Sequence, residues 1–194
     1  MKEIIKDYYD SIVKIINSIN VSDSEGNEID LFSGIEKTIA IVAELEHSGN
    51  KLMFIGNGGS AAIASHMSVD FWKNGGIKAI AFNDSSLLTC VSNDYSYEDV
   101  FEKPIEMFAD GGDVLFAISS SGKSENIIRG VRAARKKGCK VITLSGFEKN
   151  NLLSSMGDYN FYVSAHSYGP VEIVHQIICH GILDIFMETR TSGE

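Results

Sequence analysis

Apolar and polar positions alternate in two rhythms along this chain, and the change of rhythm divides it. Over residues 2–19, Ile4, Ile5, Tyr8, Ile12, Val13, Ile15 and Ile16 recur at helical spacing and predict an amphipathic helix. A polar cluster from Ser22 to Asn27 predicts a turn. A second helix is expected from about Leu31 to His47, with Ile35, Ile39, Ile41, Val42 and Leu45 apolar. Beyond it come short continuous apolar runs at Leu52–Ile55, Ala79–Phe82, Val114–Ile118, Val141–Leu144 and Tyr159–Val163. Helical stretches separate them near 60–73, 85–92, 98–109, 124–137 and 149–156, and a final helix spans about Val171 to Glu188. Buried parallel strands read as unbroken apolar runs, and strands alternating with helices form a sheet covered on both faces. The expectation is one α/β domain: a doubly wound, flavodoxin-like sheet of five parallel strands over 51–190, preceded by a helical hairpin over 1–48. The hairpin is too small for a core of its own and must pack on the sheet or on another subunit.

Composition narrows the class. The chain has 194 residues, 44% of them hydrophobic, with 17 basic against 26 acidic side chains and a formal charge of −9. That balance disfavours nucleic acid and anionic membranes as partners. Cys90, Cys139 and Cys179 are odd in number and unpaired in spacing, as expected of a reducing cytoplasm. The first residues carry acid and do not read as a signal peptide, and no apolar run is expected to serve as a membrane helix.

In an open parallel sheet, ligands sit beyond the carboxyl ends of the strands, so the loops there are the candidate sites. The first strand runs into Gly56-Asn57-Gly58-Gly59-Ser60 and straight into a helix. Glycines admit an anion close to the backbone, and the helix start supplies free N–H groups. The spacing is not GxGxxG, and no Walker lysine follows. Tight packing alone explains such a turn equally well. The third strand ends in Ser119-Ser120-Ser121-Gly122-Lys123-Ser124, and four serines in six positions exceed what one helix cap requires. Hydroxyls and backbone amides together suit a phosphate. His66 and Asp70 stand four apart on the helix after the first strand, hence on one face.

Four segments occur in order: FIGNGGSAAIASHMSVDF, VSNDYSYEDVF, ISSSGKSENI and PVEIVHQIICH. Together they resemble the sugar isomerase (SIS) domain family, and within it the phosphoheptose isomerase group, over nearly the whole chain. The resemblance implies aldose–ketose isomerisation of sedoheptulose 7-phosphate through an enediol, for heptose-containing surface polysaccharide. It also implies a homotetramer with sites at subunit interfaces, and zinc in some members. Asn57, Gly58, Gly59 and Ser60 would line the sugar phosphate site, with Asn93 and Asp94 on the sugar and Ser119, Ser120, Ser121 and Ser124 on the phosphate. His66, Asp70, Glu172 and His180 would form the metal site, with Asp70, Glu172 and His180 catalytic.

Two positions depart from the family. Asp70 stands where the family has Glu, and Glu172 where it has Gln, so either carboxylate is a candidate base. Glu172 and His180 lie ~12 Å apart along a straight helix, which makes a shared ion depend on how the chains converge. His175 and Gln176 are alternatives on neighbouring turns. Isomerisation of a pentose or hexose phosphate, and a noncatalytic phosphosugar-binding or assembly role, are the competing readings. His166 is as much a loop residue as a site residue, Trp72 suits a subunit contact, and Arg129, Arg132, Arg135, Lys136 and Lys137 read as a solvated basic face.

Overall fold

The computed structural model describes residues 1–191. Seven helices and seven strands follow in the order α1 (Lys2–Ile16), β1 (Asn20–Asp23), β2 (Glu28–Ile29), α2 (Leu31–Ser48), β3 (Leu52–Gly56), α3 (Gly59–Lys73), β4 (Ala79–Ala81), α4 (Ser85–Asp94), α5 (Glu102–Phe108), β5 (Val114–Ser119), α6 (Glu125–Lys136), β6 (Lys140–Ser145), β7 (Tyr159–Tyr162) and α7 (Tyr168–Thr191). Single 3-10 turns lie at Tyr97–Asp99 and Leu152–Ser155.

All strands join one sheet in the order β2-β1-β7-β6-β5-β3-β4. The five expected strands, β3 to β7, are parallel. Two more extend the sheet to seven and make it mixed: β1 pairs antiparallel with β7 and with β2. Asn20–Asp23 holds a single buried apolar residue, Val21, which is why the pattern reads there as turn alone. The chain leaves β3 through α3 to β4 on one side, while β5 flanks β3 on the other. That reversal of winding opens a crevice between the ends of β3 and β5, where Gly56 stands opposite Ile118.

Both sheet faces are covered, and the two-residue period sorts the strand side chains between them. Leu52 and Phe54 face a core built with α2, α3 and α7, where the Phe54 ring lies 5.6 Å from Phe71 and 5.0 Å from Phe116. Met53 and Ile55 face the opposite core with Phe101, Ile105, Ile127 and Val131. The N-terminal pair divides in role. Helix α2, capped by Asp30 onto the Ser33 N–H, buries Thr38, Val42 and Leu45. Helix α1 has no fully buried residue: Ile15 and Ile16 pack against the core, while Ile4, Ile5, Tyr8, Tyr9 and Val13 are exposed.

Four expectations change. The helix expected over 98–109 divides into the Tyr97–Asp99 turn and α5, and that over 149–156 shrinks to one turn held by the Asn151 side chain. Helix α7 is, by length and composition, apolar enough to cross a membrane, because it is a core helix: Val171, Val174, Ile178, Ile182, Leu183 and Phe186 are buried within the domain. The basic stretch on α6 is partly paired rather than solvated. Arg129 bridges Glu98, Asp99 and Glu125, and Arg135 lies 2.6 Å from Asp158.

Candidate active site

The crevice holds a cup of about 250 Å³ lined by the β3–α3 and β5–α6 loops and by Tyr168 and Glu172 of α7. Its floor follows from local backbone rules. Gly58, at φ 55°, occupies a conformation that disfavours side chains. At Gly59 a Cβ would run into the Glu172 carboxylate, so glycine lets α7 lie directly against the start of α3.

Besides α7, which starts at Tyr168 on the wall, α3 and α6 begin at this cup, and neither of these two is capped by a side chain. Gly58 precedes α3 with no side chain to offer, and Ser124 precedes α6 without a cap bond. The first amides of both helices are therefore left for a ligand, with the positive ends of two helix dipoles. The serines divide the remaining labour. Ser119 Oγ accepts the Gly122 N–H at 3.2 Å and Ser121 Oγ accepts the Lys123 N–H at 3.3 Å, so these two shape the loop. Ser120 is 5% exposed and its hydroxyl has no partner, while Ser124 Oγ has only a 3.5 Å contact from Ser119. A buried hydroxyl left unpaired costs free energy unless a ligand meets it. The arrangement suits an anion with several acceptor oxygens. Lys123 points to solvent and adds only distant charge.

Ser124→Ala separates the two uses of an N-cap serine. Losing a true cap costs about 1 kcal/mol. Here no cap bond exists, so the thermal midpoint should hold within a degree or two while the KM for a phosphorylated substrate rises severalfold. Thermal melts and initial rates on the same preparation check both halves.

Two turns further along α3, a second group assembles. His66 Nε2 lies 3.2 Å from Asp70 Oδ2, and the His66 ring meets the His180 ring edge-on at 5.2 Å between centroids. One ligand atom from each of His66, Asp70 and His180 falls within 4.8 Å of the others. Glu172, expected in this set, lies outside it. It stands two turns before His180 on α7 and faces the cup, as the helix rise demands. His175 is excluded from the site altogether: it is fully buried, with Nε2 3.1 Å from the Ser145 carbonyl. Gln176 turns its amide toward Met67.

Asn93 and Asp94 occupy the last turn of α4, exposed, and neither lines the cup. Asn93 belongs instead to a shallow depression with Leu88, Thr89, Ser92 and Tyr97. His166 and Trp72 are exposed. Two residues that sequence reasoning passed over complete the cup's surroundings: Tyr168 on its wall and Asn126 behind it, paired with Asn57. Asn126 lies within the serine-rich segment itself, but its side chain's use depends on a residue 69 positions away.

Comparison with known proteins identifies the family and the fold. The model of the SIS domain matches residues 7–146. The chain belongs to the SIS domain family. Its similarity extends to phosphoheptose isomerases from Crocosphaera subtropica, 39% identical over 77% of this chain and 79% of that protein, and from Proteus mirabilis, 36% identical over 78% and 81%. Among solved SIS structures, the phosphoheptose isomerase of Neisseria gonorrhoeae superposes with a TM-score of 0.83 at 26% identity, covering 95% of this chain and 98% of that one. That of Francisella tularensis gives 0.82 at 25% identity, covering 97% and 98%. The match covers the N-terminal helices as well as the sheet, so the expected SIS fold holds over nearly the whole chain.

Proposed function

We propose that this chain is an aldose–ketose isomerase that interconverts sedoheptulose 7-phosphate and D-glycero-D-manno-heptose 7-phosphate through an enediol. One observation carries the reading: an anion cup and an acid–base cluster lie on the same pair of helices, with Gly59 at the cup and His66 seven residues, ~10 Å, further on. An extended sugar bound by a terminal phosphate would present its far carbons to that cluster. The names of the relatives support the heptose phosphate as substrate.

The chemistry asks for one base and one acid. Asp70 takes a proton from C1 of the ketose, exchanges it with solvent at the enediol stage, and delivers a proton to C2 to form the aldose. His180 gives a proton to the carbonyl oxygen at C2 and recovers one from the hydroxyl at C1. Phosphate binding at the cup supplies interaction energy remote from the reacting carbons, which holds them against these groups. Glu172, at the cup end, suits an acceptor for a sugar hydroxyl. His66, Asp70 and His180 offer donors of the kind zinc takes, within 4.8 Å of one another, and would hold it. Bound zinc would polarise the substrate oxygens.

A homotetramer belongs to the same reading, supported by the unburied apolar face of α1. A cytoplasmic location is supported by three free cysteines. The test is turnover in deuterium oxide with zinc present, followed by NMR. Sedoheptulose 7-phosphate should yield heptose 7-phosphate carrying deuterium at C2, and pentose and hexose phosphates should stay unchanged. Turnover of a shorter sugar alone would replace the substrate, and binding without deuterium uptake would replace the enzyme with a sensor.

A further inference from the structure

The cup is formed by two loops from different parts of the chain, and one hydrogen-bonded group crosses between them. Asn57, in the β3–α3 loop, and Asn126, in the first turn of α6, exchange a reciprocal pair of amide bonds: Asn57 Nδ2 donates to Asn126 Oδ1, and Asn126 Nδ2 donates to Asn57 Oδ1, both at 2.9 Å. Asn126 is 3% exposed and does not line the cup. The Tyr97 hydroxyl donates to the same Asn57 oxygen at 3.0 Å from outside. Tyr97 is delivered there by its own turn, whose Glu98 and Asp99 are held by Arg129 of α6 at 2.9 and 3.0 Å. Asn57 Oδ1 thus accepts two bonds, and one Nδ2 hydrogen is committed to Asn126.

We infer that Asn126 and Tyr97 are positioning residues for phosphate binding, which fix Asn57, and through it the Gly58 turn, at a set distance from the serine loop. The inference rests on the isomerase reading only for its substrate. The geometry itself concerns any phosphate in the cup. A polar pair with both partners satisfied in a low-dielectric setting is rigid, and losing one partner leaves the other unpaired. Two uncapped helix starts hold one anion in common only while their separation is fixed. A looser cup would weaken binding of the phosphate in ground and transition states alike, so the effect falls on KM and not on kcat.

The experiment uses the full chain and two probes: sedoheptulose 7-phosphate for kinetics and inorganic phosphate for direct binding by calorimetry. Asn126→Ala should raise KM and the phosphate Kd together, by about tenfold, with kcat within twofold. Tyr97→Phe should raise both about threefold. Tyr97 is 57% exposed, so that variant keeps the proposal testable if Asn126→Ala does not fold. In an Asn57→Ala background either change should add nothing, because the pair acts as one unit. Unchanged phosphate affinity in folded Asn126→Ala or Tyr97→Phe, or full additivity with Asn57→Ala, would overturn the assignment. If the parent protein binds phosphate but does not isomerise the sugar, the calorimetry still decides the clamp while the isomerase reading falls.

Discussion

Asp70→Asn should lower turnover of sedoheptulose 7-phosphate by about 10²–10⁴-fold, the usual contribution of a positioned general base. The two side chains have nearly the same shape, so the amide occupies the carboxylate's place beside His66 at 3.2 Å and leaves α3 folded. What it cannot do is take a proton from carbon. The phosphate cup is about three turns away along α3 and untouched, so KM should move less than threefold and the loss should fall on kcat. Saturating zinc in the assay separates the two duties of Asp70, since the amide oxygen remains a possible ligand. Restored activity would mean that Asp70 serves the metal alone. Glu172→Gln is the companion variant. It removes the rival carboxylate at the cup end, and its effect should appear in KM. A collapse of kcat in Glu172→Gln, with Asp70→Asn tolerated, would reverse the assignment of the base.

The rivalry between these two carboxylates shows where sequence reasoning stopped. Asp70 and His66 are neighbours by helical periodicity, so their contact was legible from a spacing of four. Whether His180 or Glu172 joins them depends on how α7 lies along α3, a tertiary fact with no local signature. Gly59 settles it, by letting the Glu172 carboxylate sit over the start of α3 and so placing His180 beside His66. The five parallel strands were legible because burial on both faces makes them continuous apolar runs. The β1–β2 hairpin was not, because an edge strand with one buried residue carries no such pattern. The serine loop declared itself by composition, yet the division between loop-shaping and free hydroxyls appears only with the hydrogen bonds in view. Asn93 and Asp94 were placed by resemblance alone, and in the single chain they sit apart from the cup.

His175 and His180 illustrate the same limit in adjacent turns of one helix, and their difference leads to an expected acid instability. His180 reaches the surface beside Asp70, whereas His175 is fully buried, with Nε2–H donating to the Ser145 carbonyl and Nδ1 without a partner. Burial pushes its pKa down from 6.5 to about 4, against the opposing effect of the Ser145 bond. The folded protein therefore keeps this ring neutral down to about pH 4, while the unfolded chain binds a proton below 6.5. Stability is complete above that value and falls as the pH drops through the window, because the unfolded state then holds more protons. At about 1.4 kcal/mol per unit, the full gap is worth about 3 kcal/mol, a large share of the ~5–15 kcal/mol typical of a domain. Urea titrations of the parent and of His175→Gln between pH 7.5 and 4 measure it. Glutamine costs stability at neutral pH but cannot titrate, so the gap between the two proteins should close by about 2–3 kcal/mol on acidification. Carboxylates such as Asp113, held below their ordinary range by Lys51 and backbone amides against the cost of burial, titrate alike in both proteins and cancel in the difference. Parallel curves would mean that His175 is not buried as a neutral ring. Convergence would show that His175 is held neutral by burial and plays a structural part in α7, five residues from the half-buried His180 of the site.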